Sequence, residues 1–137
     1  MPSSANVGFT GITTDEIGMV WLQASKLLKP ALGEGKTLDE VLAKIFQKDA
    51  QLWIAATETE LQAACVTEVK IRPSGKVCNV WLCGGKGVNN WVHFLDTIEE
   101  WAKEQGCETL TIDHARIGWQ RLLKGFKPKT IALERKI

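Results

Sequence analysis

The stretch Val80-Trp81-Leu82-Cys83-Gly84-Gly85-Lys86-Gly87-Val88-Asn89-Asn90-Trp91 decides how this chain folds. An apolar strand, Lys76–Cys83, runs into a glycine-rich turn, and the turn opens an amphipathic helix that reaches Gln105. Gly84, Gly85 and Gly87 give the backbone conformations closed to residues with a Cβ, and allow a ligand to come close. The first N–H groups of the helix lack intrahelical partners and carry the positive end of its dipole. Together these features suit a phosphate, and Lys86 adds a cation. Two familiar phosphate loops do not match. The dinucleotide fingerprint has Gly85 and Gly87 but ends on Asn90, and a Walker loop would need glycine at Val80 and Ser or Thr near Val88. A plain strand-to-helix turn that needs glycine for geometry alone is the alternative.

Beyond the turn, Trp91, Phe94, Leu95, Ile98, Trp101 and Ala102 line one helix face, and Asp96, Glu99, Glu100, Lys103 and Glu104 the other. Asn89 or Asn90 supplies a cap, and Gly106 fits the left-handed position that closes a helix. Cys107–Asp113 follows as a strand with Leu110 and Ile112 inward. A strand, helix and strand of these lengths predict a parallel crossover.

Upstream, Pro73-Ser74-Gly75 is a turn, preceded by a strand over Leu61–Arg72. Leu61, Ala63, Cys65, Val69 and Ile71 share one face of it, and Gln62, Glu68, Lys70 and Arg72 mark the other as wet. Gln51–Thr57 is continuously apolar, as a strand buried on both faces would be. Thr13/Glu16 and Thr37/Glu40 have capping-box spacing. They open helices over Asp15–Lys29 and Thr37–Lys48, with core stripes Ile17-Val20-Trp21-Ala24-Leu27-Leu28 and Leu38-Val41-Leu42-Ile45-Phe46. Val7–Ile12 is a short first strand, Met1–Ser4 is frayed, and Gly33–Gly35 is a linker. Arg116–Lys124 reads as a short helix broken by Gly125-Phe126-Lys127-Pro128, and Lys129–Ile137 as a last strand. The order β-α-α-β-β-β-α-β-α-β predicts an α/β domain with a mixed sheet, antiparallel early and parallel at the glycine turn.

The 137 residues suit a single domain over 1–137 with one real core. A net charge of +1 argues against a dedicated nucleic-acid or membrane protein. No apolar stretch approaches a bilayer span, and no secretory leader pattern stands at the start. The basic residues cluster late: Arg116, Arg121, Lys124, Lys127, Lys129, Arg135 and Lys136 face a single acid, Glu134. Cys65, Cys78, Cys83 and Cys107 form no C-x-x-C pair, so no metal is expected. They behave as small buried hydrophobes, reduced in a cytoplasmic protein.

The element order with these motifs resembles the GNAT superfamily of acetyl-CoA-dependent acyltransferases, over about Val7 to Ile137. In that family two helices follow the first strand, and the fourth strand runs into the loop that binds the coenzyme A pyrophosphate, matching Val80–Asn89. The segment Leu122-Leu123-Lys124-Gly125-Phe126 looks like the family's closing helix and its Gly-Phe ending. The stretch from Gly106-Cys107 through Arg116-Ile117-Gly118-Trp119-Gln120-Arg121 also resembles small phage and prophage GNAT-like proteins. The resemblance implies a GNAT-like acyl-CoA N-acyltransferase fold, with a mixed central sheet and helices on both faces. It implies acetyl-CoA held by Cys83, Gly84, Gly85, Lys86, Gly87, Val88, Asn89 and Asn90, and an amine acceptor. The alternative is an inactive GNAT-fold phage structural or accessory protein with a protein partner, in the host cytoplasm or the virion. The loop's usual Gln or Arg falls on Leu82. The family's tyrosine falls near Arg121 in a chain with no tyrosine, and its frequent asparagine near His114.

Acyl transfer to an amine needs a base within hydrogen-bond reach. Glu68 and His114 are the candidates. Glu68 is otherwise a solvated strand charge, and His114 a strand-end histidine held by backbone. Cys83 is a nucleophile only if its pKa is lowered, and otherwise a buried thiol. His93, one position off the apolar stripe, is structural. Trp119 between Arg116 and Arg121 suggests a partner contact.

Overall fold

A computed structural model describes residues 8–32, 35, 37–57, 60–85, 88–113, 127–129 and 132–137, with backbone alone at 31, 88–92, 113, 127–129 and 132–136. The elements are β1 (Gly8–Ile12), α1 (Ile17–Leu28), a 3-10 turn (Lys29–Ala31), α2 (Leu38–Phe46), β2 (Ala50–Ala56), β3 (Leu61–Arg72), β4 (Gly75–Gly85), α3 (Val88–Glu104), β5 (Cys107–Asp113), β6 (Lys127–Lys129) and β7 (Ala132–Lys136). The strands hydrogen-bond in the order β1-β2-β3-β4-β5-β7-β6. The expected mixed α/β sheet is present. The expected helix over Arg116–Lys124 lies outside the described residues, as do Met1–Ser4 and the rest of the late basic cluster up to Phe126. The chain divides into two compact units, Met1–Thr67 with Leu82–Gly87, and Glu68–Trp81 with Val88–Ile137. β3 and β4 each run through both.

In the first unit β1 pairs antiparallel with β2, from Gly8 opposite Ala56 to Ile12 opposite Leu52. The Gln51 amide donates to the Ile12 carbonyl at 2.9 Å. Phe9 stacks on Trp53 with ring centroids 5.4 Å apart, and the Trp53 indole N–H donates to the Thr67 hydroxyl at 3.0 Å. Leu52, Trp53, Ile54 and Ala55 are all buried, which is the double-sided burial that a continuous apolar run implies.

Helix α1 starts at Ile17, two residues later than the expected Asp15. The Glu16 carboxylate accepts from the Thr13 N–H at 3.1 Å and the Thr13 hydroxyl at 2.9 Å. The Thr13 hydroxyl gives nothing back to the helix. The pair therefore closes a turn ahead of α1, and Glu16 itself is the cap residue. Thr37 does cap α2, accepting from the Glu40 N–H at 3.2 Å. Helix α2 stops at Phe46, short of the expected Lys48. Lys48 turns left-handed at φ 66, its N–H bonds to the Ile45 carbonyl, and the Asp49 N–H to the Lys44 carbonyl. That pattern is a Schellman closure. Phe46 lies past the last packed turn and is 53% exposed, whereas Val41 and Ile45 are buried.

A two-residue turn, Pro73-Ser74, joins β3 to its neighbour β4 as a hairpin. The burial along β3 departs from simple alternation. Ala63 through Glu68 are all buried, and Ile71, next to the hairpin turn, is 81% exposed. Glu68 is therefore not the solvated charge that alternation predicts.

In the second unit β4 pairs parallel with β5, from Lys76 opposite Cys107 to Val80 opposite Ile112. This is the crossover that the strand, helix and strand lengths predict. Phe94, Leu95, Ile98 and Ala102 of α3 are buried, and His93 is exposed. Gly106 closes α3 at φ +87, and the Lys76 ammonium caps the Gln105 carbonyl at 3.2 Å. A single last strand is not what forms. Pro128 sits in a short edge strand, β6, which pairs antiparallel with β7, and β7 pairs antiparallel with β5. Among the described residues no helix is long and apolar enough to cross a membrane.

Candidate functional site

Strand β4 runs to Gly85, so Cys83, Gly84 and Gly85 belong to the strand and not to a turn. Two of the glycines are explained by the protein's own packing. A Cβ on Gly84 would fall on the Leu27 carbonyl oxygen of α1, and 2.8 Å from the Leu27 carbonyl carbon. A Cβ on Gly85 would meet the Gln62 carbonyl and lie 2.5 Å from the Ala63 Cα, and Gly85 has φ +129. Neither position tolerates a side chain. The close approach expected of a ligand at Gly84 and Gly85 is taken by α1 and β3. The strand end is thereby packed closely, three residues before α3 begins at Val88. Lys86, Gly87 and the side chains of Val88, Asn89 and Asn90 lie outside what is described.

Leu82 is buried. Cys83 is half-buried, and its S–H donates to the Cys65 sulfur at 3.5 Å. Cys78 and Cys107 are buried thiols. Burial, with the neighbouring Cys107 second, pushes Cys78 up to about 12, and burial also raises Cys107. Neither is a nucleophile near neutral pH.

A buried polar row crosses β3, β4 and β5 within the second unit. The Thr111 hydroxyl donates to the Asn79 carbonyl oxygen at 2.7 Å, its direct partner in the parallel ladder. With its oxygen so engaged, the Asn79 amide presents N–H to Glu68 and donates to its carboxyl at 3.4 Å. The Lys70 ammonium stands 3.7 Å from the same oxygen. Glu68, Asn79 and Thr111 are all buried. Burying a carboxyl is costly without such partners, and the row supplies them. Asn79 had a signal in the sequence, as the one polar residue between Val77 and Cys83; Thr111 had none, since β5 reads Cys107-Glu108-Thr109-Leu110-Thr111-Ile112-Asp113. His114, the other candidate base, lies outside the described residues, directly after β5.

Among the described residues no group of three or more His, Cys, Asp or Glu is placed to hold a metal. The segment fits a phosphate-bearing group on one structural count. Helix α3 is 17 residues long with no acid in its first turn, so no carboxylate offsets the positive end of its dipole there.

No family model matches the sequence, and no curated protein matches it. Solved structures do match in fold. One is a GNAT family acetyltransferase from Elizabethkingia anophelis with acetyl-CoA bound (TM-score 0.67, 12% identity, 96% of this chain and 99% of that one). Another is an aminoglycoside acetyltransferase from an uncultured soil metagenomic sample, in complex with sisomicin (TM-score 0.69, 9% identity, 90% of each chain). A third is the Drosophila melanogaster polyamine N-acetyltransferase, which forms N-acetylagmatine (TM-score 0.65, 11% identity, 96% and 100%). At these identities the likeness establishes the fold, that of the GNAT acetyltransferases.

Proposed function

We propose that the chain is an acetyl-CoA-dependent N-acetyltransferase acting on a small amine. The observation that carries this is a glycine-ended β4 leading into the acid-free N-terminus of α3, within a fold shared with acetyl-CoA-bound and amine-acetylating enzymes. Bound acetyl-CoA would supply an activated thioester. The first N–H groups of α3 would hold its pyrophosphate, with Lys86 adding charge and Gly87 leaving room. Gly84 and Gly85 act one step back, by fixing the end of β4. Cys83 sits beside them as a strand residue.

Glu68 is the base we assign. Its carboxyl takes the proton of the attacking amine, and Thr111 and Asn79 keep it in one orientation. His114 is the second candidate. Tyrosine cannot return a proton to the leaving thiol, since the sequence contains none.

Titration calorimetry with acetyl-CoA and with desulfo-CoA tests the binding part. Micromolar binding of both is expected, because the phosphates carry the recognition, and no heat at millimolar ligand would end the proposal. The absent tyrosine and the buried Leu82 favour a second reading. In it the fold serves without catalysis, as a phage-encoded accessory protein working through a protein partner. Acetyl transfer to a panel of polyamines and aminoglycosides, lost in Glu68→Gln with acetyl-CoA binding retained, would exclude it.

A further inference from the structure

Four cysteines stand in two neighbouring couples, and the couples differ in one decisive respect. Cys78 and Cys107 are both buried, and burial holds both thiols protonated. Cys65 and Cys83 lie on the two strands of one hairpin, with sulfurs 3.5 Å apart. Cys65 is fully buried and Cys83 half-buried. One member is thus part-exposed and the other enclosed, with its sulfur next to the exposed member's. The backbone at this point is closely packed. Gly84 is wedged against the Leu27 carbonyl and Gly85 against Gln62 and Ala63, so the two sulfurs are kept side by side. Joining them needs the gap to close from 3.5 Å to about 2.05 Å, the length of an S–S bond.

We propose that Cys83 and Cys65 form a redox-active dithiol that reduces low-molecular-weight disulfides, with Cys83 attacking and Cys65 resolving. The proposal does not rest on acetyl transfer. The Cys83 thiolate attacks one sulfur of the small disulfide. That S–S bond breaks, one small thiol leaves with the proton given up by Cys83, and a mixed disulfide remains on Cys83. The Cys65 thiolate then attacks the Cys83 sulfur, and the second small thiol leaves with the proton of Cys65. The chain loses two electrons and two protons as it gains the Cys65–Cys83 bond. The small disulfide gains both and becomes two thiols. The product bond ties β3 to β4 immediately before Gly84.

The test is incubation of the folded, reduced protein with oxidised glutathione, followed by acid quench, alkylation and peptide mass mapping. The expected result is a Cys65–Cys83 cross-link without retained glutathione, while Cys78 and Cys107 are alkylated only after unfolding. Cys65→Ala is expected to accumulate glutathione on Cys83. Cys83→Ala is expected to slow oxidation of Cys65 at least tenfold. Three results would each overturn the proposal: wild-type protein that keeps all four thiols, wild-type protein that stops at glutathionylated Cys83, or a cross-link through Cys78 and Cys107 in its place. The mapping on wild-type protein decides the matter even if either variant folds poorly.

Discussion

Replacing Gly84 by alanine isolates one contact, because Gly84 has no left-handed backbone conformation to confound it. The added methyl would fall on the Leu27 carbonyl oxygen, and the Leu27 carbonyl carbon would stand 2.8 Å away, where ordinary contact begins near 3.4 Å. Both partners are backbone, so no flexible side chain can swing aside. The last turn of α1 must back away from β4, and Leu28, fully buried beside it, loses contact with its neighbours. Overpacking costs about 1–3 kcal/mol, and an obstruction between two backbones belongs at the upper end, about 3 kcal/mol. For a chain of this size each kcal/mol moves the thermal midpoint by roughly 3–5 °C, so a fall of about 10 °C is expected. Gly18→Ala is the matched control. It lies in α1 with nothing within 4 Å of the new Cβ, and should gain about 0.5–1 kcal/mol from helix propensity. Calorimetric or fluorescence melting of the two variants against the parent makes the comparison. A Gly84→Ala midpoint within about 2 °C of the parent would refute the reasoning. So would a loss of acetyl-CoA binding with unchanged stability, since Gly84 would then face a ligand and not α1.

Three further outcomes follow from the same structure. Lys48→Gly should stabilise the chain by about 0.5–1 kcal/mol, seen as a raised urea midpoint, because glycine adopts the left-handed closing position of α2 without the Cβ penalty. Thr111→Val keeps the shape of the side chain and removes the donor to Asn79. It should cost about 1–3 kcal/mol by leaving a buried amide oxygen short of a partner, and lower kcat more than it changes KM for any acetyl transfer that uses Glu68. The Thr13 backbone N–H, and then its hydroxyl, hold the Glu16 carboxyl below its ordinary 4.5. The lowered folded-state value means this contribution is present above pH 4.5 and is lost as pH falls through the folded value. Glu16→Gln should flatten the acid limb of a urea-midpoint profile there and leave a parallel profile above it.

The parallel crossover was readable because three signals coincided: glycines after an apolar strand, a helical stripe from Phe94 to Ala102, and Gly106 at its end. Thr37 capped α2 as its spacing predicts, since Glu40 follows at the right distance. Thr13 and Glu16 have the same spacing and build a turn instead: there the Glu16 carboxylate accepts from Thr13, whereas at α2 the Thr37 hydroxyl accepts from the Glu40 N–H. Spacing alone does not distinguish the two outcomes. Glu68 shows the deeper limit. Alternation puts it on a wet face, but its burial depends on Asn79 and Thr111, which arrive from strands 11 and 43 residues later in the chain. No local pattern carries that information. The purpose of Gly84 and Gly85 was hidden for the same reason: a glycine that admits a ligand and one that admits a neighbouring helix look alike in sequence.

Strand β6 is only Lys127-Pro128-Lys129, and it is the last strand in the sheet order on its side. An exposed sheet edge invites a strand from another molecule to continue the hydrogen-bond ladder. Here the ladder would have to be continued along three residues, the middle one lacking an N–H, with a lysine on each side. Short length, proline and lysine are the features by which edges are made poor templates. The molecule therefore carries a built-in stop against sheet-to-sheet polymerisation at this end. That protection comes from the length and composition of three residues, Lys127-Pro128-Lys129.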